Sequence, residues 1–189
     1  MTRNIVKLTK KQLGAIRNIA ACKGNGKNKS YTHMSCMYDD GTFAAFDTYH
    51  VIVMSGCAID DTQMDEIKND DGYCFKSDDG SAGKLPDVRA LFNNYNDYIE
   101  NGDNRYYTDD FTRRYTADEL IMMCKNADRK DVNGKSCFVS PMKTAGVNAT
   151  YMREVVNALG AKESFVSWSM SGIIVECDNG MGIIMPIRI

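Results

Sequence analysis

The sequence predicts an α+β fold built of β-α-β-β-β units, with antiparallel sheets and helices on one face. Three observations carry this. Helical periodicity with a single apolar face occurs near both ends of the chain, over residues 9–22 and 148–160. Each such segment is followed by β-rich runs. The runs are broken by Asp39-Asp-Gly41 in the first half and Asp178-Asn-Gly180 in the second, the residue types of tight hairpin turns. With 189 residues the chain is long enough to bury a core. The expected organisation is a single domain over 1–189 with an insertion at about 58–135.

Taken in order, Thr9 is placed to cap the first helix, and Leu13, Ile16, Ile19 and Ala20 fall on one side of it. Gly24-Asn-Gly26 ends it. Strand-like runs at 31–38 and 42–55 flank the Asp39-Asp-Gly41 turn. From 58 to about 84 the composition turns acidic, with Asp60, Asp61, Asp65, Glu66, Asp70, Asp71, Asp78 and Asp79 among Asn and Gly. Little there can be buried, so the stretch reads as a solvated loop or a short strand pair with long connections. A calcium loop would need the Asp-x-Asp-x-Asp-Gly spacing, which it lacks. Leu85-Pro-Asp-Val-Arg-Ala-Leu-Phe92 starts a helix with Pro86 in its first turn. The tyrosine-rich stretch 95–115 has no clear period. Thr116-Ala-Asp-Glu119 is a capping box. It opens a helix to about residue 127, with Leu120, Met123, Cys124 and Ala127 on one side. A strand follows at 136–142.

Asn148 caps the last helix and Gly160 stops it. Tyr151, Met152, Val155, Ala158 and Leu159 face inward, whereas Arg153, Glu154 and Asn157 face water. The closing hairpin joins runs at 165–177 and 181–189. Pro186 cannot donate to a ladder, so the last strand is expected at an edge or with a bulge.

A net charge of −2 gives no global attraction to nucleic acid, so any such contact needs a local basic face. The seven cysteines include no CxxC pair and mostly sit in apolar runs, as small buried hydrophobes in a reducing compartment do. The N-terminus has no apolar signal-peptide core, and no run approaches a membrane span, so a cytoplasmic protein is expected. The two histidines, His33 and His50, occur in no HExxH motif, and neither GxSxG, P-loop nor dinucleotide signatures are present. His33 and Cys36 lack a second ligand pair, so no metal is expected. A cysteine nucleophile served by His50 would need an adjacency that sequence does not display. No cofactor and no catalysis are expected.

Two ends of the chain carry a resemblance. Val147-Asn-Ala-Thr-Tyr-Met-Arg-Glu-Val-Val-Asn-Ala-Leu-Gly160, two hydrophobic runs, and the tail Met181-Gly-Ile-Ile-Met-Pro-Ile-Arg-Ile189 resemble the C-terminal end of the bacterial sliding-clamp family, the processivity subunit of the replicative DNA polymerase. Gly41-Thr-Phe-Ala-Ala-Phe-Asp-Thr-Tyr-His-Val-Ile-Val53 is similar to the family's "gxLxlxATDGxRLAV" strand pair, with Asp47 on its Asp, His50 on its Arg, and Thr48-Tyr49 replacing its Gly-x. Lys84-Leu-Pro-Asp-Val-Arg-Ala-Leu91 is similar to its "FPD" segment. The matching parts cover a little over half the chain.

The resemblance implies a DNA-clamp-like fold and a non-catalytic, replication-linked role. It implies helices whose cations touch DNA phosphates non-specifically. Carried over by position, Lys10, Lys11, Arg17, Lys23 and Arg153 become the DNA-facing set. Taken alone, these are also the solvated polar face of ordinary amphipathic helices. It further implies a groove for peptides of replication proteins, formed by Tyr49, His50 and Val51 with Met185, Pro186 and Arg188. In the family these regions meet across a domain boundary, so in a single-domain chain they are expected to meet only between subunits. Ordinary edge-strand packing would use the same residues. Two functions remain open: a homo-oligomeric ring around double-stranded DNA, of about six copies if each supplies one domain, and a monomeric or dimeric clamp-fold module that binds a protein.

Overall fold

The computed structural model describes residues 7–20, 34–38, 40–47, 49–54, 62–63, 74–76, 87–92, 113–126, 131–132, 135–139, 146–168 and 173–186. The long helices among them are α1 (Lys10–Ala20), α2 (Ala117–Asn126) and α3 (Ala149–Leu159). The first-half strands are β1 (Met34–Met37), β2 (Phe43–Phe46), β3 (His50–Met54) and β4 (Cys74–Lys76). The rest are β5 (Arg113–Thr116), β6 (Asp131–Val132), β7 (Lys135–Val139), β8 (Gly146–Asn148), β9 (Glu163–Trp168), β10 (Ile173–Cys177) and β11 (Gly180–Ile184). The fold is α+β, as predicted.

Eight strands form one sheet in the order β4-β1-β2-β3-β11-β10-β9-β5, and β6-β7-β8 form a second. All neighbours in the large sheet pair antiparallel except β1 and β4, which are parallel. The two halves of the chain are joined in the middle of this sheet, where β11 runs against β3 with Ile184 opposite His50 and Met181 opposite Val53.

Local rules account for the helix ends. Thr9 Oγ1 accepts from the Gln12 amide at 3.2 Å, while Gln12 Oε1 accepts from the Thr9 amide at 3.0 Å. This reciprocal box satisfies two donors that a helix start leaves unpaired. Thr116 and Glu119 repeat it on α2, with Glu119 accepting from the Thr116 amide at 2.7 Å. Asn148 caps α3 by accepting from the Thr150 amide at 2.9 Å, and Gly160 ends the helix in the left-handed region at φ 64°. A Cβ at position 160 would also fall on the Gln12 side chain.

The three helices lie side by side, α3 in the middle with α1 and α2 on its flanks. Between helices and sheet lies the main core of Leu13, Ile16, Ile19, Phe43, Ile52, Met54, Leu120, Met152, Val155, Leu159, Ile173 and Val175, with their buried neighbours. The approach is close. A Cβ on Gly182 of β11 would strike the Val155 side chain of α3, so only glycine lets the helix settle there. The opposite face of β1–β3 is covered too. Cys36, Tyr38, Ala44, Phe46 and Val51 pack against Val88 and Phe92 of the turn and helical residues 88–92. Strand β2 is therefore buried at all four residues, which is why it reads as a continuous apolar run. Tyr38 Oη accepts from the Val88 amide at 3.1 Å, and the Arg89 guanidinium lies 4.1 Å from the centre of its ring. Arg89 also pairs with Asp87 and Asp40, which are half exposed, so these ion pairs contribute little to stability.

Several expectations are corrected. The run 42–55 folds back on itself as β2 and β3, because the Asp47 side chain accepts the amide protons of Tyr49 and His50 and closes a turn. The run 165–177 likewise divides into β9 and β10. The last strand is central in its sheet and stops at Ile184, before Pro186, so the proline needs neither an edge nor a bulge. Glu154 does not face water. It is 6% exposed and turned toward the sheet. Residues 113–126, within the stretch read as an insertion, supply an edge strand of the main sheet and a helix on α3. The acidic stretch gives β4 and the buried Gln63, whose amide exchanges two hydrogen bonds with the Leu8 backbone at 3.1 and 2.9 Å. Gly24–Gly26, Pro86, Ala127 and the tyrosine-rich stretch 95–112 lie outside the described residues. No helix among the described residues is long and apolar enough to cross a membrane.

Candidate partner groove and helix face

The corner between β2 and β3 gathers the chemistry. Asp47 Oδ1 accepts from the amides of Tyr49 (2.6 Å) and His50 (2.7 Å) and faces His50 Nδ1 at 2.8 Å. His50 Nε2 faces Glu154 Oε2 of α3 at 3.2 Å. Both ring nitrogens thus point at carboxylate oxygens, an arrangement fully satisfied only by the doubly protonated imidazolium. Burial opposes that charge, but the hydrogen bonds to Asp47 and then Glu154 outweigh it and hold the His50 pKa above its ordinary value of 6.5. For Asp47 burial acts upward, yet the hydrogen bond and charge of His50 and the two backbone amides bring its pKa below 3.8. Tyr151, one turn before Glu154, stacks on the imidazole at 4.5 Å and 17°, and on Tyr49 at 5.6 Å and 20°.

The tail reaches the same corner. The Met185 amide donates to the Tyr49 carbonyl at 2.8 Å, continuing the β3–β11 ladder by one residue. Tyr49 and Met185 are half exposed, at 49% and 50%, while His50 and Val51 are buried. Tyr49, His50, Val51, Met185 and Pro186 therefore meet within one chain, which corrects the expectation that they meet only between subunits. The cause is the central β3–β11 seam. Arg188 lies outside the described residues. Glu154 and Tyr151 were not among the predicted groove residues. Their signal was present as an i, i+3 pair on α3, but helical periodicity alone assigned Glu154 to the solvated side.

On the helix face Lys10, Lys11 and Arg17 of α1 are exposed, as is Arg153 of α3. Lys23 lies outside the described residues. Gly14 sits one turn from Lys10 with nothing within 4 Å of where a Cβ would stand. A glycine inside a helix with no packing reason weakens it, so Gly14→Ala is expected to stabilise the protein by about 0.5–1 kcal/mol. Urea unfolding reads this directly, and a loss of stability instead would mean that the site is crowded.

Catalytic chemistry finds little support at these positions. Both His50 nitrogens are engaged by carboxylates. Burial pushes the Cys124 thiol up to about 11 and raises Cys177 as well, away from the reactive thiolate. No group of three or more His, Cys, Asp or Glu among the described residues is arranged to hold a metal ion.

The architecture defines the class: strand–helix steps repeated along the chain, one antiparallel-rich sheet carrying a row of helices, and a C-terminal strand delivering its tail to the β2–β3 corner. The fold is that of the bacterial DNA polymerase sliding clamps. The Pseudomonas aeruginosa sliding clamp matches with a TM-score of 0.56 at 12% identity, over 95% of this chain and 64% of that one. The Bacillus subtilis clamp gives 0.54 at 12% identity, covering 94% and 62%. The Helicobacter pylori β clamp bound to a DNA ligase peptide gives 0.53 at 14% identity, covering 95% and 63%. This chain thus spans a little under two-thirds of the length of those clamps, and at such identities the likeness is one of fold. No protein-family model matches the sequence, and no curated protein matches it either.

Proposed function

We propose that this protein is a non-catalytic, clamp-like replication factor that captures a partner peptide in the groove between the Tyr49–Val51 corner and the Met185–Pro186 tail. The observation that carries the reading is the meeting of these two walls inside one chain, with two half-exposed apolar side chains at their mouth. The peptide on the Helicobacter pylori clamp supports the class of partner. That ligase peptide, labelled with fluorescein, is the probe: saturable anisotropy changes that Met185→Ala weakens are expected. Failure of the wild-type protein to bind it would count against the groove.

DNA encirclement belongs to the same proposal. Lys10, Lys11, Arg17 and Arg153 would face the duplex phosphates, and several copies would close a ring in the cytoplasm. Affinity for a duplex should then fall steeply with salt, as counterion release requires, and light scattering should give a closed multimer. A second reading is favoured by one observation: because the groove is complete in one chain, peptide capture needs no ring. A monomer that binds peptide and shows no salt-sensitive duplex binding is a clamp-fold protein-binding module.

A further inference from the structure

Helix α3 grips the β2–β3 corner with two side chains one turn apart. Tyr151 stacks on both Tyr49 and His50, and Glu154 takes the outer nitrogen of His50. The inner nitrogen goes to Asp47, whose same oxygen holds the amides of Tyr49 and His50. The carbonyl of Tyr49 in turn receives the Met185 amide. One continuous chain of hydrogen bonds therefore runs from α3 through the imidazole and the turn to the tail. Within it His50 and Glu154 are buried and Asp47 is partly buried, while Tyr49 and Met185 are half exposed.

We propose that Glu154 is a positioning residue of the groove: through His50 it fixes the corner that anchors Met185, and so sets the spacing of the two groove walls. This deepens the peptide-capture reading above and rests on it for its binding readout. It also makes the groove proton-linked. A neutral imidazole carries one N–H and can serve only one of the two carboxylates, so deprotonation releases either the turn or the helix. Among the described residues the titratable groups facing the imidazole are Asp47 of the turn, with Tyr151 and Glu154 of α3; Tyr49 reaches it through Tyr151, and β11 presents Ile184 opposite it. Burial raises the Tyr151 hydroxyl above its ordinary value of 10.0, so the histidine carries the response near neutrality.

The test measures the labelled ligase peptide by anisotropy from pH 5 to 9, with hydrogen exchange of the Met185 amide alongside, on wild type, Glu154→Gln and Glu154→Ala. Wild-type affinity should weaken as pH rises through the raised His50 pKa. Glu154→Ala should lose roughly tenfold in affinity, the equivalent of one charged hydrogen bond, and should flatten the pH profile. Its Met185 amide should exchange faster. Glu154→Gln keeps an acceptor without the charge, so it should recover most of the affinity while moving the pH midpoint down. Should the alanine variant fail to fold, the midpoint of the glutamine variant decides. Wild-type affinity, pH profile and Met185 exchange in both variants would overturn the proposal. If wild type binds no peptide, the groove reading fails, and the Met185 exchange rates alone decide whether Glu154 positions the tail.

Discussion

His50→Ala is expected to lower stability by about 3–5 kcal/mol, the loss found when one partner of a buried ion pair is removed and the other is left uncompensated. Here two carboxylates, Asp47 and Glu154, would be left without the cation between them, and Tyr151 would lose the ring it stacks on. The pH dependence identifies the cause. His50 has a raised folded pKa, so its contribution is fully present below 6.5 and is lost as pH rises through the higher folded value. Asp47 has a lowered folded pKa, so its contribution is present above 3.8 and is lost as pH falls through the lower folded value. The difference between wild type and His50→Ala should therefore be largest between pH 3.8 and 6.5, and should shrink as pH falls through the Asp47 pKa or rises through that of His50. Urea midpoints measured across pH give the profile. A pH-independent difference would mean that packing alone, without charge, accounts for the loss.

Phe43→Ala is expected to lower stability by about 3–5 kcal/mol, because a fully buried ring is replaced by a cavity that the surroundings fill only in part. Phe43 is 0% exposed, on a strand enclosed by α1 on one side and residues 88–92 on the other. Collapse into the void would have to move α1, which is itself packed along α3. A domain holds only about 5–15 kcal/mol in all, so this one change could bring the midpoint close to unfolding. Met122→Ala on α2 is the control, since Met122 is 52% exposed and should shift stability by no more than about 0.5 kcal/mol. Equal effects at the two positions would contradict the core described here.

Much of the fold was legible because its signals are local. The Thr9 cap, the Thr116 capping box, the Asn148 cap, the Gly160 stop and the apolar stripes of α1 and α3 depend only on neighbours within a turn or two. Strand counts were less legible. The run 42–55 concealed a reversal, since a strand covered on both faces, as β2 is, loses the alternation that would mark its ends. The corner proposed as a groove was half legible. The resemblance of the tail and of residues 41–53 singled out Tyr49, His50, Met185 and Pro186 as candidates, but not that they lie together in one chain. Glu154 was misassigned because periodicity records which residues share a face of a helix and not what that face meets.

By itself the sequence determined the helices, their caps, the hairpin turns at 39–41 and 178–180 and the fold class, since each follows from short-range hydrogen bonding and apolar spacing. Only the tertiary structure decided that β3 and β11 join at the centre of one sheet, that residues 113–126 belong to that sheet and its helix layer, and that a buried carboxylate of α3 reaches His50. Those are contacts between residues far apart in the chain, fixed by which apolar faces pack together and by the need to give a buried imidazole two partners.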